Sequence, residues 1–147
     1  MRSWTSTSVA DTERIAAEVA SDLTNGGVIA LDGDLGAGKT QFVRGLVKAL
    51  GGDGRQVSSP TYTLLQTYDL ANGRRLHHLD AYRVASDDFE AIGFEELLDS
   101  AADVIAVEWP SRVADLLPPG TLWLRLAHDG EATRCISQKP PGSLPDR

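Results

Sequence analysis

The 147-residue chain carries 14 Lys plus Arg against 21 Asp plus Glu, giving a formal net charge of −7 and a pI near 4.8. This length suits one domain that buries about two-thirds of its unfolded surface, and the acidic balance excludes a broad electrostatic footprint on nucleic acid, which needs a basic face. The single cysteine, Cys135, excludes an internal disulfide and suits a reducing compartment as a small apolar strand residue.

Met1-Arg2-Ser3-Trp4 runs into polar residues without the apolar stretch of a targeting segment, and no apolar run approaches the roughly 18 residues of a spanning helix. A cytoplasmic protein without membrane contact is expected. Asp11 is placed to cap a helix whose stripe is Ile15, Val19 and Leu23, with Gly26-Gly27 as its stop. Val28-Ile29-Ala30-Leu31 is continuously apolar, as a buried parallel strand is. Next comes Gly33-Asp34-Leu35-Gly36-Ala37-Gly38-Lys39-Thr40, which fits the phosphate-cradling pattern G-x-x-x-x-G-K-[ST]. Phe42, Val43, Leu46, Val47 and Leu50 then recur at helical spacing, so strand, loop and helix stand in the required order.

A triphosphate is a dense polyanion, and a loop of Gly33, Gly36 and Gly38 lets backbone N–H groups converge on it where Cβ atoms would block approach. A helix starting near Lys39 adds its N-terminal N–H groups and positive dipole end. Lys39 supplies a full charge for the β- and γ-phosphates, and Thr40 a hydroxyl for Mg²⁺. The expected ligand is therefore a nucleoside triphosphate with Mg²⁺.

Gly51-Gly52 ends that helix, and a polar loop leads to Ser59-Pro60-Thr61. Residues from Tyr62 to Leu70 predict a strand, Asn72-Gly73 a hairpin turn, and Arg74 to Leu79 an antiparallel return. His77 and His78 are adjacent on that strand, so they point to opposite faces and cannot share a metal; both read as structural. Ser86 is placed to cap a helix with Asp87, Asp88 and Glu90 in its first turn, and Phe94, Leu97 and Leu98 form a second short apolar face after Gly93. Val104-Ile105-Ala106-Val107 predicts another buried parallel strand, ended by Glu108 and closed by Pro110. Leu122 to Ala127 alternates, Asp129-Gly130 turns, and the residues around Cys135 complete a second hairpin. Residues 1–138 read as one domain and 139–147 as a disordered tail.

A loop of this kind needs acidic partners at the C-terminal ends of core strands to hold Mg²⁺ and orient water. Asp80 and Glu108 occupy such positions, and Trp109 stands at the rim beside them. The fold class predicted is α/β, a three-layer P-loop NTPase-like fold whose mixed sheet has a parallel core and antiparallel hairpin strands at its margins.

The loop from Gly33 to Thr40, Ser59-Pro60-Thr61-Tyr62-Thr63-Leu64, His78-Leu79-Asp80-Ala81-Tyr82-Arg83 and Glu108-Trp109-Pro110 together resemble the ordered motif set of the bacterial TsaE (YjeE) family. The resemblance spans roughly Asp11 to Ile136. It implies a Mg²⁺-dependent ATPase supporting threonylcarbamoyladenosine synthesis on tRNA, acting on a TsaB–TsaD complex and meeting tRNA only indirectly. It also implies that Asp34, Leu35, Ala37 and Gln41 line the nucleotide with the glycines, that Thr40 and Glu108 lie near the metal, and that Asp80 is a catalytic or metal-shell carboxylate. Thr61 belongs to a switch-like loop, and Thr12 and Arg134 match less distinctive nucleotide-contact positions. Gln41 stands where Thr is commoner in the family. Arg83 is the in-chain candidate for an arginine finger, and slow turnover without the partner complex is expected. A small-molecule kinase or a nucleotide-dependent binding module remains an alternative; a GTPase lacks support, because neither Asn25 nor Asn72 is followed by Lys.

Overall fold

The computed structural model describes residues 1–34, 37–58, 64–82 and 86–140. Seven strands form one sheet: β1 (Ser3–Ser6), β2 (Gly27–Gly33), β3 (Leu65–Asp69), β4 (Arg75–Asp80), β5 (Val104–Glu108), β6 (Leu122–His128) and β7 (Arg134–Lys139), in the spatial order β1-β7-β6-β2-β5-β4-β3. The four central strands, β6, β2, β5 and β4, are mutually parallel, and the outer pairings are antiparallel. This is the mixed α/β sheet expected, with both hairpins in place: β3–β4 turns through Asn72, whose φ of 63° is tolerable for asparagine, and β6–β7 closes with Asp129 N–H donating to Thr133 O at 2.9 Å.

Helices α1 (Val9–Ala20) and α2 (Lys39–Ala49) cover one face, where Ile15, Val19, Phe42, Val43 and Leu46 pack on Ile29, Leu31 and Leu124. The shorter α3 (Ser86–Ala91) and α4 (Phe94–Asp99) cover part of the other face, burying Phe89 and Phe94 against Leu79, Ile105 and Val107. Val28 to Leu31 of β2 and Val104 to Val107 of β5 are continuously apolar because both faces of these strands are covered. The two long helices approach closely at Gly45, where a Cβ would lie 2.7 Å from Ala16 Cβ and 2.8 Å from Glu13 Cα. That approach packs the middle of α2 against α1.

Three local expectations change. The cap of α1 is Ser8, not Asp11: Ser8 has extended backbone angles and accepts from Asp11 N–H at 3.0 Å, while Asp11 accepts from Thr7 N–H at 3.1 Å. Asp11 is thus the third residue of the helix, and its carboxylate reaches back to Thr7, the residue before the cap. Strand β1 was not predicted; Ser-Trp-Thr-Ser is too short and polar to show a pattern, and pairing with β7 in the register Ser3↔Ser137 makes it a strand. Strand β7 runs through Lys139, the first residue of the stretch read as a tail, whereas residues 141–147 lie outside the described residues. Among the described residues, no helix is long and apolar enough to cross a membrane.

Candidate functional site

Three parallel strands end side by side. Glu108, the last residue of β5, is in register with Leu31 of β2 on one side and Asp80 of β4 on the other. Gly33, Asp80 and Glu108 therefore meet at the C-terminal edge of the sheet, where the loop from β2 delivers the chain to α2. Gly33 is required by close approach, since a Cβ there would lie 2.4 Å from Leu126 O. Gly38 caps α2 with a φ of 98°, a left-handed conformation that glycine adopts without penalty.

Lys39 opens α2 and is buried. Its Nζ donates to Gly33 O at 2.5 Å and stands 3.6 Å from the centre of the Trp109 ring. Burial lowers its pKa below that of an ordinary lysine, against the opposing pull of Glu108, Asp80, Asp32 and Asp34. Trp109 is left-handed, with φ 57° and ψ 50°, a conformation costing a bulky residue about 1–2 kcal/mol. Its ring packs on Tyr82, with centroids 4.8 Å apart.

The two carboxylates are anchored differently. Asp80 Oδ1 accepts from Tyr82 N–H at 2.8 Å. Burial raises its pKa, Tyr82 N–H opposes that, Glu108 raises it further, and Lys39 and His78 lower it. Glu108 is buried, and its Oε2 lies 2.5 Å from His78 Nε2. Beside the loop, Asp32 accepts from Arg125 Nη1 at 2.6 Å, linking β2 to β6.

A cavity of about 290 Å³ opens on the other side of the α2 N-terminus, lined by Ser6, Thr12, Gly38, Gln41 and Arg134. Thr12 is held there by a 2.7 Å hydrogen bond between its Oγ1 and Ser6 Oγ. Gln41 bonds to Glu13 and Arg44, while among the described residues Arg134 makes only long hydrogen-bond contacts, 3.3 Å to Thr133 O and 3.5 Å to Glu131 O.

The structure thus gathers Gly33, Lys39, Asp80, Glu108 and Trp109 at one edge, and Thr12, Gln41 and Arg134 in the adjoining cavity. Thr40 is in the first turn of α2, and Asp34 O accepts from the buried Ala37 N–H at 3.0 Å. Leu35, Gly36, Thr61 and the rest of Ser59-Pro60-Thr61, and Arg83, lie outside the described residues. Sequence reasoning missed His78 as a partner of Glu108, although strand alternation puts it on the same face as Asp80, two positions on. It also missed the Asp32–Arg125 pair, whose members are 93 positions apart and leave no local signal, and Ser6, which bonds to the nearby Thr12.

A family model described as "Threonylcarbamoyl adenosine biosynthesis protein TsaE" matches residues 6–136. The tRNA threonylcarbamoyladenosine biosynthesis protein TsaE of Treponema pallidum is 43% identical over 129 residues, 85% of this chain and 92% of that protein. The protein of the same name from Rickettsia felis is 37% identical over 128 residues, 86% of this chain and 73% of that one. The Bacillus subtilis protein of that name is 34% identical over 134 residues, covering 91% and 82%. The crystal structure of Bacillus subtilis YdiB superimposes with a TM-score of 0.72 at 28% identity, over 93% of this chain and 83% of that one. With the family pattern matched across nearly all of its folded elements, the chain belongs to the TsaE family.

Proposed function

We propose that this chain binds Mg²⁺-ATP at the C-terminal edge of its sheet, hydrolyses it slowly alone, and uses that cycle in the cytoplasm to drive a TsaB–TsaD complex in threonylcarbamoyladenosine synthesis on tRNA. The observation that carries the reading is the convergence of Lys39, Asp80 and Glu108 at the N-terminus of α2.

The donor set fits the ligand. Mg²⁺ is commonly bound by one or two carboxylates together with nucleotide phosphates rather than by an all-protein cage. Asp80, Glu108 and the Thr40 hydroxyl are such a partial set, and among the described residues no cluster of three or more His, Cys, Asp or Glu side chains forms a metal site by itself. The bound Mg²⁺-ATP supplies the phosphoryl group and the cation that neutralises charge on it.

The protein's own contribution is positioning and electrostatics. Lys39 lies in a low-dielectric site where its charge acts strongly on a phosphate, and on binding it exchanges Gly33 O for phosphate oxygens. The α2 N–H groups face the same phosphates. Glu108 and Asp80 orient the water whose oxygen bonds to the γ-phosphorus as the β–γ bridging bond breaks. The cavity of Thr12, Gln41 and Arg134 receives the nucleoside end, because it adjoins Gly38 on the side away from the carboxylates.

Hydrolysis of ATP and GTP, with and without TsaB–TsaD, tests the proposal. The expected result is slow ATP turnover that the complex accelerates. Equal turnover with and without the complex overturns the partner dependence, and transfer of phosphate to a small molecule instead of water identifies a kinase.

A further inference from the structure

His78 is 0% exposed on β4, two residues before Asp80 and on the same face of the sheet. Its register partner is Ala106, so Glu108 stands one pleat further along β5, and the ring reaches it diagonally. The other ring nitrogen, Nδ1, is buried and is the one buried side-chain nitrogen or oxygen without a hydrogen-bond partner among the described residues. An orphan of this kind is destabilising and is rare among buried polar atoms. The neighbouring His77 shows what a structural histidine does in this fold: Nδ1 meets Thr67 Oγ1 at 3.0 Å and Nε2 meets Asp103 Oδ2 at 2.9 Å. His78 gives up one of its two bonds and keeps the one to Glu108.

A second observation bears on the same pair. Lys39 is close enough to Glu108 for the carboxylate to be the largest charge acting on it, yet among the described residues Lys39 forms no ion pair, and its ammonium rests on Gly33 O and Trp109. A Glu108 carboxylate without a fixed partner competes with phosphate for the ammonium, and the bond to His78 opposes that competition.

We propose that His78 is a positioning residue for Glu108: its Nε2–H commits Oε2, leaving Oε1 as the oxygen free for Mg²⁺ or a Mg²⁺-bound water and leaving Lys39 free for phosphate. This rests on the reading of Glu108 given above. Removing the partner that orients a metal-binding carboxylate costs about 10–100-fold in metal affinity or activity.

The test compares the full chain with Glu108→Gln, His78→Leu, His78→Gln and His78→Asn. Calorimetry reads ATP affinity with and without Mg²⁺, steady-state kinetics reads the Mg²⁺ midpoint and kcat, and a melting curve confirms folding. His78→Leu is expected to raise the Mg²⁺ midpoint at least about 10-fold and to weaken Mg²⁺-free ATP binding as well, because the released Glu108 then competes with phosphate for Lys39. His78→Gln, whose amide replaces Nε2–H, restores most of the loss; His78→Asn, folded but too short to reach Glu108, does not. A folded His78→Leu or His78→Asn with the native Mg²⁺ midpoint overturns the proposal, as does a folded His78→Gln with no rescue. Should His78→Leu not fold, the Gln and Asn pair decides alone. An unchanged Mg²⁺ midpoint in Glu108→Gln overturns the role given to Glu108 and the proposal with it, whereas an effect there without one at His78 overturns the proposal only.

Discussion

The Lys39 ammonium sits 3.6 Å from the centre of the Trp109 ring, over the aromatic face that attracts a cation. The contact ties the start of α2 to the residue that follows Glu108, so a ligand that draws Lys39 away must change the surroundings of the indole. In a chain with three tryptophans, replacing Trp4 and Trp123 by Phe isolates this signal. ATP is expected to shift Trp109 emission saturably, and a flat titration with calorimetrically confirmed binding would contradict the displacement.

Lys39→Ala removes the charge without disturbing the helix, since alanine is the best helix former. Hydrogen bonds to charged groups contribute about 1.5–3 kcal/mol, so ATP affinity should fall about 10- to 100-fold while the far-ultraviolet circular dichroism is unchanged. Native affinity in the folded variant would refute the phosphate assignment.

Burial holds the Lys39 pKa below the ordinary lysine value, so the charged form is the disfavoured one in the empty site. The sign follows: as pH rises through that lowered pKa, the ammonium is lost and phosphate affinity falls, at a lower pH than for a surface lysine. Calorimetric titration across the alkaline range measures it. A profile flat up to the ordinary lysine pKa would count against the shift.

For Asp80 the direction is opposite. Its raised pKa means the folded, empty protein binds that proton more tightly than the unfolded chain does, so this group's contribution to stability declines as pH rises from the unfolded pKa through the folded one. Asp80→Asn should therefore melt higher than the native protein at neutral pH, with the gain disappearing in acid below the ordinary aspartate pKa. A variant that melts lower at neutral pH would show that the Tyr82 N–H bond outweighs the burial.

Among the described residues Arg134 makes only long hydrogen-bond contacts to carbonyls of its own turn, so Arg134→Ala should change stability by no more than about 0.5 kcal/mol. If the cavity it shares with Thr12 and Gln41 receives the nucleoside, ATP affinity falls about 10-fold and inorganic phosphate binding is spared. By contrast, Arg125→Ala leaves Asp32 buried and unpaired, and should cost about 1–3 kcal/mol. Melting curves and ATP titrations on both variants separate the two arginines.

The sequence by itself determined the two buried parallel strands β2 and β5, the long α2 helix, both hairpins and the strand-end positions of Asp80 and Glu108, while the parallel pairing of β4 and β6 came only from the structure. Hydrophobic period and turn chemistry are local properties, and a strand-end carboxylate after an apolar run is visible in a few residues. Strand β1 escaped because four residues, three of them polar, become a strand only by pairing with β7. The Ser8 cap escaped because Ser and Asp are both capping residues and only backbone angles choose between them. Tertiary structure alone decided that His78 grips Glu108, that Trp109 covers Lys39, and that Thr12 and Arg134 share a cavity, since each joins residues at least 30 positions apart. The first two exist because parallel pairing stacks β2, β5 and β4 with their C-terminal ends together, and the third because β7 pairs with β1 and β6 beside α1; that side-by-side order follows from long-range packing and not from any local stretch of chain.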